Sequence, residues 1–128
     1  MRLTKRDEQR RARLSKLCLG LPDATSEVVG YTNAHTRFLV RKKKFAYHLV
    51  DHDGDGRVQL SVRAAPGQNA ALVEAHPDRY FWPRYIGVHG WVGLQLDLRT
   101  IDWDEVESLV VTSYRLQAPK TLVRLLDG

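Results

Sequence analysis

The stretch DHDGDG, which begins at Asp51, has residue types and a spacing that could bind a cation. Three aspartates have the spacing of calcium ligands: Asp51, Asp53 and Asp55. Gly56 also stands where an EF-hand loop makes its sharp turn, but the twelfth loop position, which must provide a bidentate carboxylate, is Val62. The flanking residues have strand rather than helix chemistry, and Asp-Gly repeats favour tight hairpin turns. We therefore expect a turn here, without specific calcium binding.

Four consecutive cations, RKKK, lie between two segments with strand composition. At a hairpin tip such side chains point outward, where they can contact a phosphate backbone through charge and counterion release. A solubilising turn is the alternative interpretation. Lys120 adds a cation at the start of a C-terminal helix, where its charge opposes the helix dipole. The candidate nucleic-acid-binding residues in these two places are Arg41, Lys42, Lys43, Lys44 and Lys120.

Aromatic residues concentrate in the Pro- and Gly-rich segment HPDRYFWPRYIGVHGW. Side chains of this type could stack on a base or on a planar ligand, while packing against the sheet is the alternative. Arg84 and Trp91 are the candidates here for contact with a nucleic-acid groove. The alternative function is binding of a small molecule or a protein by the aromatic loop of residues 80–91.

Motifs of enzymatic chemistry are scarce in this chain. The sequence contains no GxSxG, GxxxxGK[ST], GxGxxG or HExxH pattern. His48 and His52 are four residues apart, a metal spacing on a helix, but they straddle a strand end and a turn. The single cysteine, Cys18, falls on the buried face of a predicted helix. We expect neither catalysis nor a metal or cofactor.

The net charge of +5 is distributed unevenly along the 128 residues. Residues 1–16 hold seven Lys/Arg and two acids, whereas the remainder has thirteen of each sign. The first helix therefore has a basic face, which either is solvated or contacts phosphates. Its candidate residues for phosphate contacts are Arg10, Arg11 and Arg13. The charged start and the absence of a long apolar run favour a cytoplasmic protein without membrane insertion. We also expect a monomer.

Sequence periodicity predicts the elements that position these residues. Thr4 and Asp7 form a capping box, followed by a helix with an apolar stripe. The stripe consists of Ala12, Leu14, Leu17, Cys18 and Leu21. Four short segments rich in Val, Phe, Tyr and Thr then predict an antiparallel meander, with its second turn built around Lys42 and Lys43.

The second half of the chain switches between helix and strand. The pattern of residues 67–75 predicts a short helix whose inward residues are Ala71, Leu72 and Ala75. An ordered loop is predicted for HPDRYFWPRYIGVHGW, residues 76–91, and a strand for WVGLQLDL, residues 91–98. Asp102 caps a further helix, with Glu105 as its reciprocal partner. The inner stripe of that helix is Val106, Leu109, Val110 and Tyr114, and a short terminal helix follows Pro119. This order predicts a single α+β domain over 1–128, with an antiparallel sheet of about five strands and helices packed on one face; residues 1–13 form the basic start of the first helix.

Several stretches resemble the MmcQ/YjbR family of small bacterial proteins. They are LCLGLPDATSE, TRFLVRKKKFAY, LSVRAAPGQNAALVEAHPDRYFWPRYIGVHGWVGLQLD and IDWDEVESLVVTSYRLQAPKTL, and together they cover roughly residues 14–126. Specific features are Leu-Pro after the first helix, Lys44-Phe45 opening a strand, Gly90-Trp91 before the fifth strand, and Ala118-Pro119-Lys120.

The resemblance implies the CyaY-like fold, also called a double wing, and a role in binding double-stranded DNA. That role rests largely on fold, and fold alone does not determine function. The chain departs from the family pattern at the second turn, where Lys42-Lys43 replaces the frequent Gly before the strand-opening Lys. Frataxin-like relatives of the fold bind iron through acidic surfaces, which the basic first helix does not provide.

Overall fold

Six antiparallel strands form one open sheet in the computed structural model, which describes residues 1–32 and 34–128. In chain order the strands are β1 (Ala24–Val29), β2 (His35–Val40), β3 (Lys43–Val50), β4 (Val58–Arg63), β5 (Tyr80–Phe81) and β6 (Trp91–Gln95). They lie side by side in the order β1-β2-β3-β4-β6-β5. The predicted four-strand meander and the α+β class are confirmed. β5 was not predicted: it lies in a stretch whose sequence pattern predicts a loop. Two paired residues are too few to give a periodic pattern.

Four α-helices accompany the sheet. They are α1 (Lys5–Leu19), α2 (Gln68–Ala75), α3 (Trp103–Gln117) and α4 (Lys120–Asp127). The Thr4 capping box of α1 is confirmed, since the Thr4 hydroxyl accepts from the Asp7 amide and the Asp7 carboxylate accepts from the Thr4 amide. All four helices occur where the sequence predicts them.

The core lies between one face of the sheet and the helices α1 and α3. Alternate strand residues such as Phe38, Leu60 and Val92 are fully buried there, together with Leu14 of α1. The predicted inner stripe of α3 is confirmed, because all four of its residues are buried. Cys18 is also buried as predicted, and burial raises the pKa of its thiol, which keeps it protonated.

Three inward-facing residues were predicted wrongly. Ala12 of α1 and the residues Ala71 and Ala75 of α2 are exposed. The buried residue of α2 is instead Asn69, whose amide donates to the carbonyls of Gly87 and Trp91. A long-range hydrogen bond of this kind orients the helix, and a hydrophobic pattern cannot reveal it.

The reciprocal partnership of Asp102 and Glu105 is only half confirmed. The Asp102 carboxylate accepts from the amides of Asp104 and Glu105, as a cap should. The Glu105 side chain does not return to the Asp102 amide; it accepts from the Tyr80 hydroxyl and, at 3.0 Å, from Nε of Arg79. These two donors stand at the start of β5, so Glu105 fastens the edge of the sheet to α3.

The aspartate-rich stretch is a turn between β3 and β4, as predicted. The Asp51 carboxylate accepts from the Gly56 amide at 2.8 Å, and the Asp55 carboxylate accepts from the Arg57 amide at 2.9 Å. Asp51 and Asp53 both have positive φ. The carboxylates therefore stabilise the backbone of the turn itself.

A one-residue bulge interrupts β3 at Phe45. Phe38 pairs with Ala46 and Leu39 pairs with Lys44, so Phe45 has no partner on β2. The extra residue turns the Phe45 ring into the core, 5.5 Å from the ring of Tyr114 in an edge-to-face arrangement. The Ser113 hydroxyl donates to the carbonyl of Phe45 at 2.6 Å.

The turn between β2 and β3 has two central residues, Arg41 and Lys42, with φ of 49° and 70°. The centre of this turn was predicted at Lys42 and Lys43, which is wrong by one residue. Val40 pairs with Lys43, so the two residues between them, Arg41 and Lys42, form the turn. Two-residue hairpin turns with both φ values positive match the twist of the strands, but they suit Asn and Gly better than Arg and Lys. Non-glycine residues are strained in this conformation.

We predict that Lys42→Gly raises the free energy of unfolding by about 1 kcal/mol, because glycine adopts positive φ without steric cost. Urea unfolding followed by circular dichroism measures the change. Lys43→Gly is the matched control: it removes the same charge one residue later, inside the strand, and should destabilise the protein. A loss of stability in Lys42→Gly would contradict the proposed strain at the turn.

Candidate nucleic-acid interface

The basic tip, defined as Arg41, Lys42, Lys43 and Lys44, lies at one end of the sheet. Arg41 is paired with Asp23, with Nη2 and Oδ2 2.8 Å apart, and both side chains are largely exposed. Lys42 and Lys43 are exposed, and Lys44 is half-buried. Within residues 1–32 and 34–128, none of the three lysines forms an ion pair. Three of the four charges at the tip therefore lack a local counter-charge.

Gln117, the last residue of α3, connects the basic tip to the rest of the structure. Its Nε2 donates to the Lys44 carbonyl at 2.9 Å, and its Oε1 accepts from Nη1 of Arg63 at 2.8 Å. Lys120 begins α4 three residues later and is exposed. The predicted candidates at the tip and at Lys120 thus lie at the same end of the sheet, and Arg63, which the sequence did not single out, joins them.

The arginines of α1 lie elsewhere. Arg10 donates to the carbonyls of Leu96 and Leu98 at 2.6 and 2.5 Å and to that of Arg99 at 3.1 Å, just after β6. Arg13 stacks on Trp103, with its guanidinium carbon 4.5 Å from the ring centroid. These groups stabilise the end of the sheet opposite the tip. Arg11, half-buried, lowers the pKa of His48 and so lies near it.

The aromatic-loop candidates lie on the sheet face opposite α1 and α3, at two different places. Trp91 is only 8% exposed and packs against Tyr47, with ring centroids 5.5 Å apart, so it is largely a packing residue. Arg84 is exposed, and its Nη1 is 3.9 Å from Oδ2 of Asp53 in the turn between β3 and β4. β3 separates that turn from the basic tip by about 23 Å, at roughly 3.3 Å per residue. Arg84 is therefore not part of the basic tip.

The two histidines with metal-like spacing point to different environments. His48 is fully buried in the core, and neither of its ring nitrogens has a hydrogen-bond partner in the described part of the chain. His52 lies in the turn after β3, 5.5 Å from the ring of His35. Across residues 1–32 and 34–128, no three His, Cys, Asp or Glu side chains are grouped so that they could hold a metal ion.

A comparison with protein-family models matches residues 19–116 to the YjbR family. The chain belongs to this family. The match includes the basic tip and the aromatic loop, while Lys120 and the arginines of α1 lie outside it. No curated protein matches the YjbR chain described here.

A solved structure is similar to this YjbR protein in fold. It is the crystal structure of the Deinococcus radiodurans protein DR2400, which carries the domain DUF419. The TM-score is 0.67 at 23% identity, over 83% of this chain and 76% of that one. An identity this low supports a shared fold and says nothing about a shared site. None of the helices in the described residues of the YjbR protein has the length and apolar character of a membrane span.

The buried His48 makes the stability of the YjbR protein depend on pH. Burial first, and Arg11 second, lower the pKa of His48 from 6.5 to about 4. Below pH 6.5 the unfolded chain therefore binds a proton at this histidine that the folded chain does not. As the pH is lowered from 6.5 toward the pKa of the folded state, the free energy of unfolding decreases. We predict that lowering the pH from 6.5 to 5 reduces the free energy of unfolding by about 2 kcal/mol through this residue.

Urea unfolding at several pH values tests the role of His48. His48→Leu should lose this part of the pH dependence, whatever its effect on stability at pH 7. His89→Leu is the control, because it makes the same substitution at an exposed histidine. If the free energy of unfolding of His48→Leu changes with pH between 6.5 and 5 as much as that of the unmodified protein, the buried histidine does not cause this pH dependence.

Proposed function

We propose that this YjbR protein binds double-stranded DNA through phosphate contacts at the basic tip. The observation that carries the proposal is the exposure of Lys42, in the two-residue turn, and of Lys43, directly after it, neither of which forms an ion pair with another described residue. The proposed role is non-enzymatic, needs no cofactor and takes place in the cytoplasm. Binding of this kind has little sequence selectivity, because phosphates carry no base information.

The rigidity of the tip supports the proposal. Short turns and the attachment of Lys44 to Gln117 fix the backbone from which the lysines project. A contact surface that is ordered beforehand loses less conformational entropy when it binds. Lys120 and Arg63 extend the positive charge from the turn toward α4.

The placement of the remaining cations limits the proposed contact surface. Arg10 and Arg13 are engaged with carbonyls and with Trp103 near the opposite end of the sheet. Arg84 lies beside Asp53 at that end too. The contact is therefore assigned to Lys42, Lys43, Lys44 and Lys120, a group of about four cations that neutralises about four phosphates.

We predict a steep dependence of DNA binding on salt. With about four phosphates neutralised, raising the salt from about 50 to about 200 mM should weaken binding roughly 150-fold. The double substitution Lys42→Ala/Lys43→Ala should halve the slope of log Kd against log salt, because two of the four counterions are no longer released. Fluorescence anisotropy of a labelled random-sequence duplex measures both quantities.

A variant with the same net charge separates the tip from general electrostatic attraction. Arg2→Ala/Lys5→Ala also removes two exposed cations, but from the start of the chain and away from the tip. This variant should keep the slope of the unmodified protein. If log Kd depends on log salt with the same slope in the two double variants, the basic tip is not the DNA contact. If the unmodified protein shows no saturable binding at about 50 mM salt, the proposed function itself is wrong.

A further inference from the structure

A cavity of about 220 Å³ opens on the sheet face that α1 and α3 do not cover. It lies between the turn that joins β3 to β4 and the aromatic loop, with Leu49 and Gln59 of the sheet in its lining. Its walls are aromatic or apolar over most of their extent, and include Tyr47, Phe81, Pro83 and Tyr85. This site is at the opposite end of β3 from the basic tip, so it is separate from the proposed DNA contact.

A close approach of ring and backbone fixes one wall of the cavity. The Phe81 ring lies over Gly93 of the neighbouring strand, and a Cβ atom on Gly93 would be only 2.4 Å from Cζ of Phe81. Only glycine leaves room for the ring in this position. The guanidinium carbon of Arg57 lies 3.9 Å from the centroid of the Phe81 ring, as in a cation–π contact.

Arg57 is half-buried in the cavity wall, and its side-chain N–H groups form no hydrogen bond to any other described residue. Its charge has no ion-pair partner there either, in contrast to Arg84, which lies near Asp53. Asp55, the carboxylate in the lining, accepts from the Arg57 amide and, at 3.0 Å, from Nε2 of Gln59. Its two oxygens are thus engaged by the turn and by the cavity floor.

The unpaired guanidinium of Arg57 favours an anionic ligand. Arg57 and Arg84 are positive and Asp55 is negative, while Asp53, next to the lining, is close to Arg84 and accepts from the Tyr85 hydroxyl, so these four charges balance. Arg57 is the cation of the lining that has no ion-pair partner among the described residues. A half-buried guanidinium with free donors, placed over an aromatic ring, can bind a planar carboxylate through two parallel hydrogen bonds. The aromatic and apolar walls fit a flat apolar body attached to that carboxylate.

The volume limits the size of the ligand. The cavity of about 220 Å³ lies below the range of roughly 300–1,000 Å³ that is usual for drug-sized ligands. It corresponds to about seven water molecules at ~30 Å³ each, enough for a single ring and its substituent.

We propose that this cavity binds a small aromatic monocarboxylate, with the carboxylate on the Arg57 guanidinium and the ring between the aromatic loop and Leu49. The site is independent of DNA binding. Benzoate is the probe, and benzamide, its uncharged analogue of the same shape, is the matched control. A titration followed by ¹H–¹⁵N correlation spectra should show saturable shifts for Arg57 Nε–H and for the amides of Phe81 and Tyr85.

The expected affinity of benzoate is a Kd of about 1 mM, so the titration extends to about 10 mM. Benzamide should bind at least about tenfold more weakly, since it cannot form the ion pair. Arg57→Leu should weaken benzoate by at least a similar factor, whereas Arg124→Leu, at an exposed position on α4, should not. The spectrum of each variant also shows whether it is folded, and the comparison of benzoate with benzamide needs no variant.

Three results would overturn the proposal: no saturable shift by about 10 mM, equal binding of benzoate and benzamide, or shifts confined to the basic tip. A stronger response to the uncharged base adenine than to benzoate would instead assign the cavity to base stacking. Lys42→Ala/Lys43→Ala should bind benzoate like the unmodified protein. Failure of DNA binding and failure of this site are therefore separate results.

Discussion

The bulge at Phe45 is the constraint on which the arrangement of this protein most depends. Because Phe45 has no partner on β2, its ring enters the core against Tyr114, and the strand shifts register just before the basic tip. The polar groups there bind α3: Ser113 donates to the Phe45 carbonyl and accepts from the Arg63 amide at 3.0 Å. Buried backbone groups left without partners are costly, so the Ser113 hydroxyl stabilises the backbone at the bulge.

The same contacts position the charges. Gln117 lies one helical turn beyond Ser113 and continues the row of hydrogen bonds to Lys44 and Arg63. The helix α3 thus fixes the starts of both β3 and α4, and with them the lysines that begin these elements. The basic tip is therefore an extension of the core packing, and its orientation depends on residues that carry no charge themselves.

Features with a local physical cause were predictable from the sequence. The four-strand meander, the stripe of α3 and the Thr4 cap each depend on residues a few positions apart. Features that depend on distant contacts were not. Arg10 belongs to a cationic helix face by its spacing, but the carbonyls that it binds are 86 to 89 residues away. Glu105 was assigned to its own cap because its partners lie at a two-residue strand without a sequence signal: Tyr80 begins that strand and Arg79 precedes it.

The candidate interface was predictable in composition but not in extent. The sequence locates four clustered cations, whereas only the fold shows that Lys120 lies at the same end of the sheet and the arginines of α1 do not. The turn geometry was wrong by one residue, since the bulge that sets the register is invisible to a period-2 pattern. The cavity beside Arg57 is equally hidden, because it needs Gly93, Phe81 and the turn after β3 to meet across three segments.

The strain at the basic tip bears on why lysine occupies it. Arg41 and Lys42 both adopt positive φ, at a cost that Asn-Gly at the same turn would avoid. Neither side chain stabilises the core, and the pair between Arg41 and Asp23 is exposed and contributes little. Folding alone would therefore favour glycine at position 42. Backbone strain occurs at sites that bind a partner, and a cation at this turn suits the anionic partner proposed above.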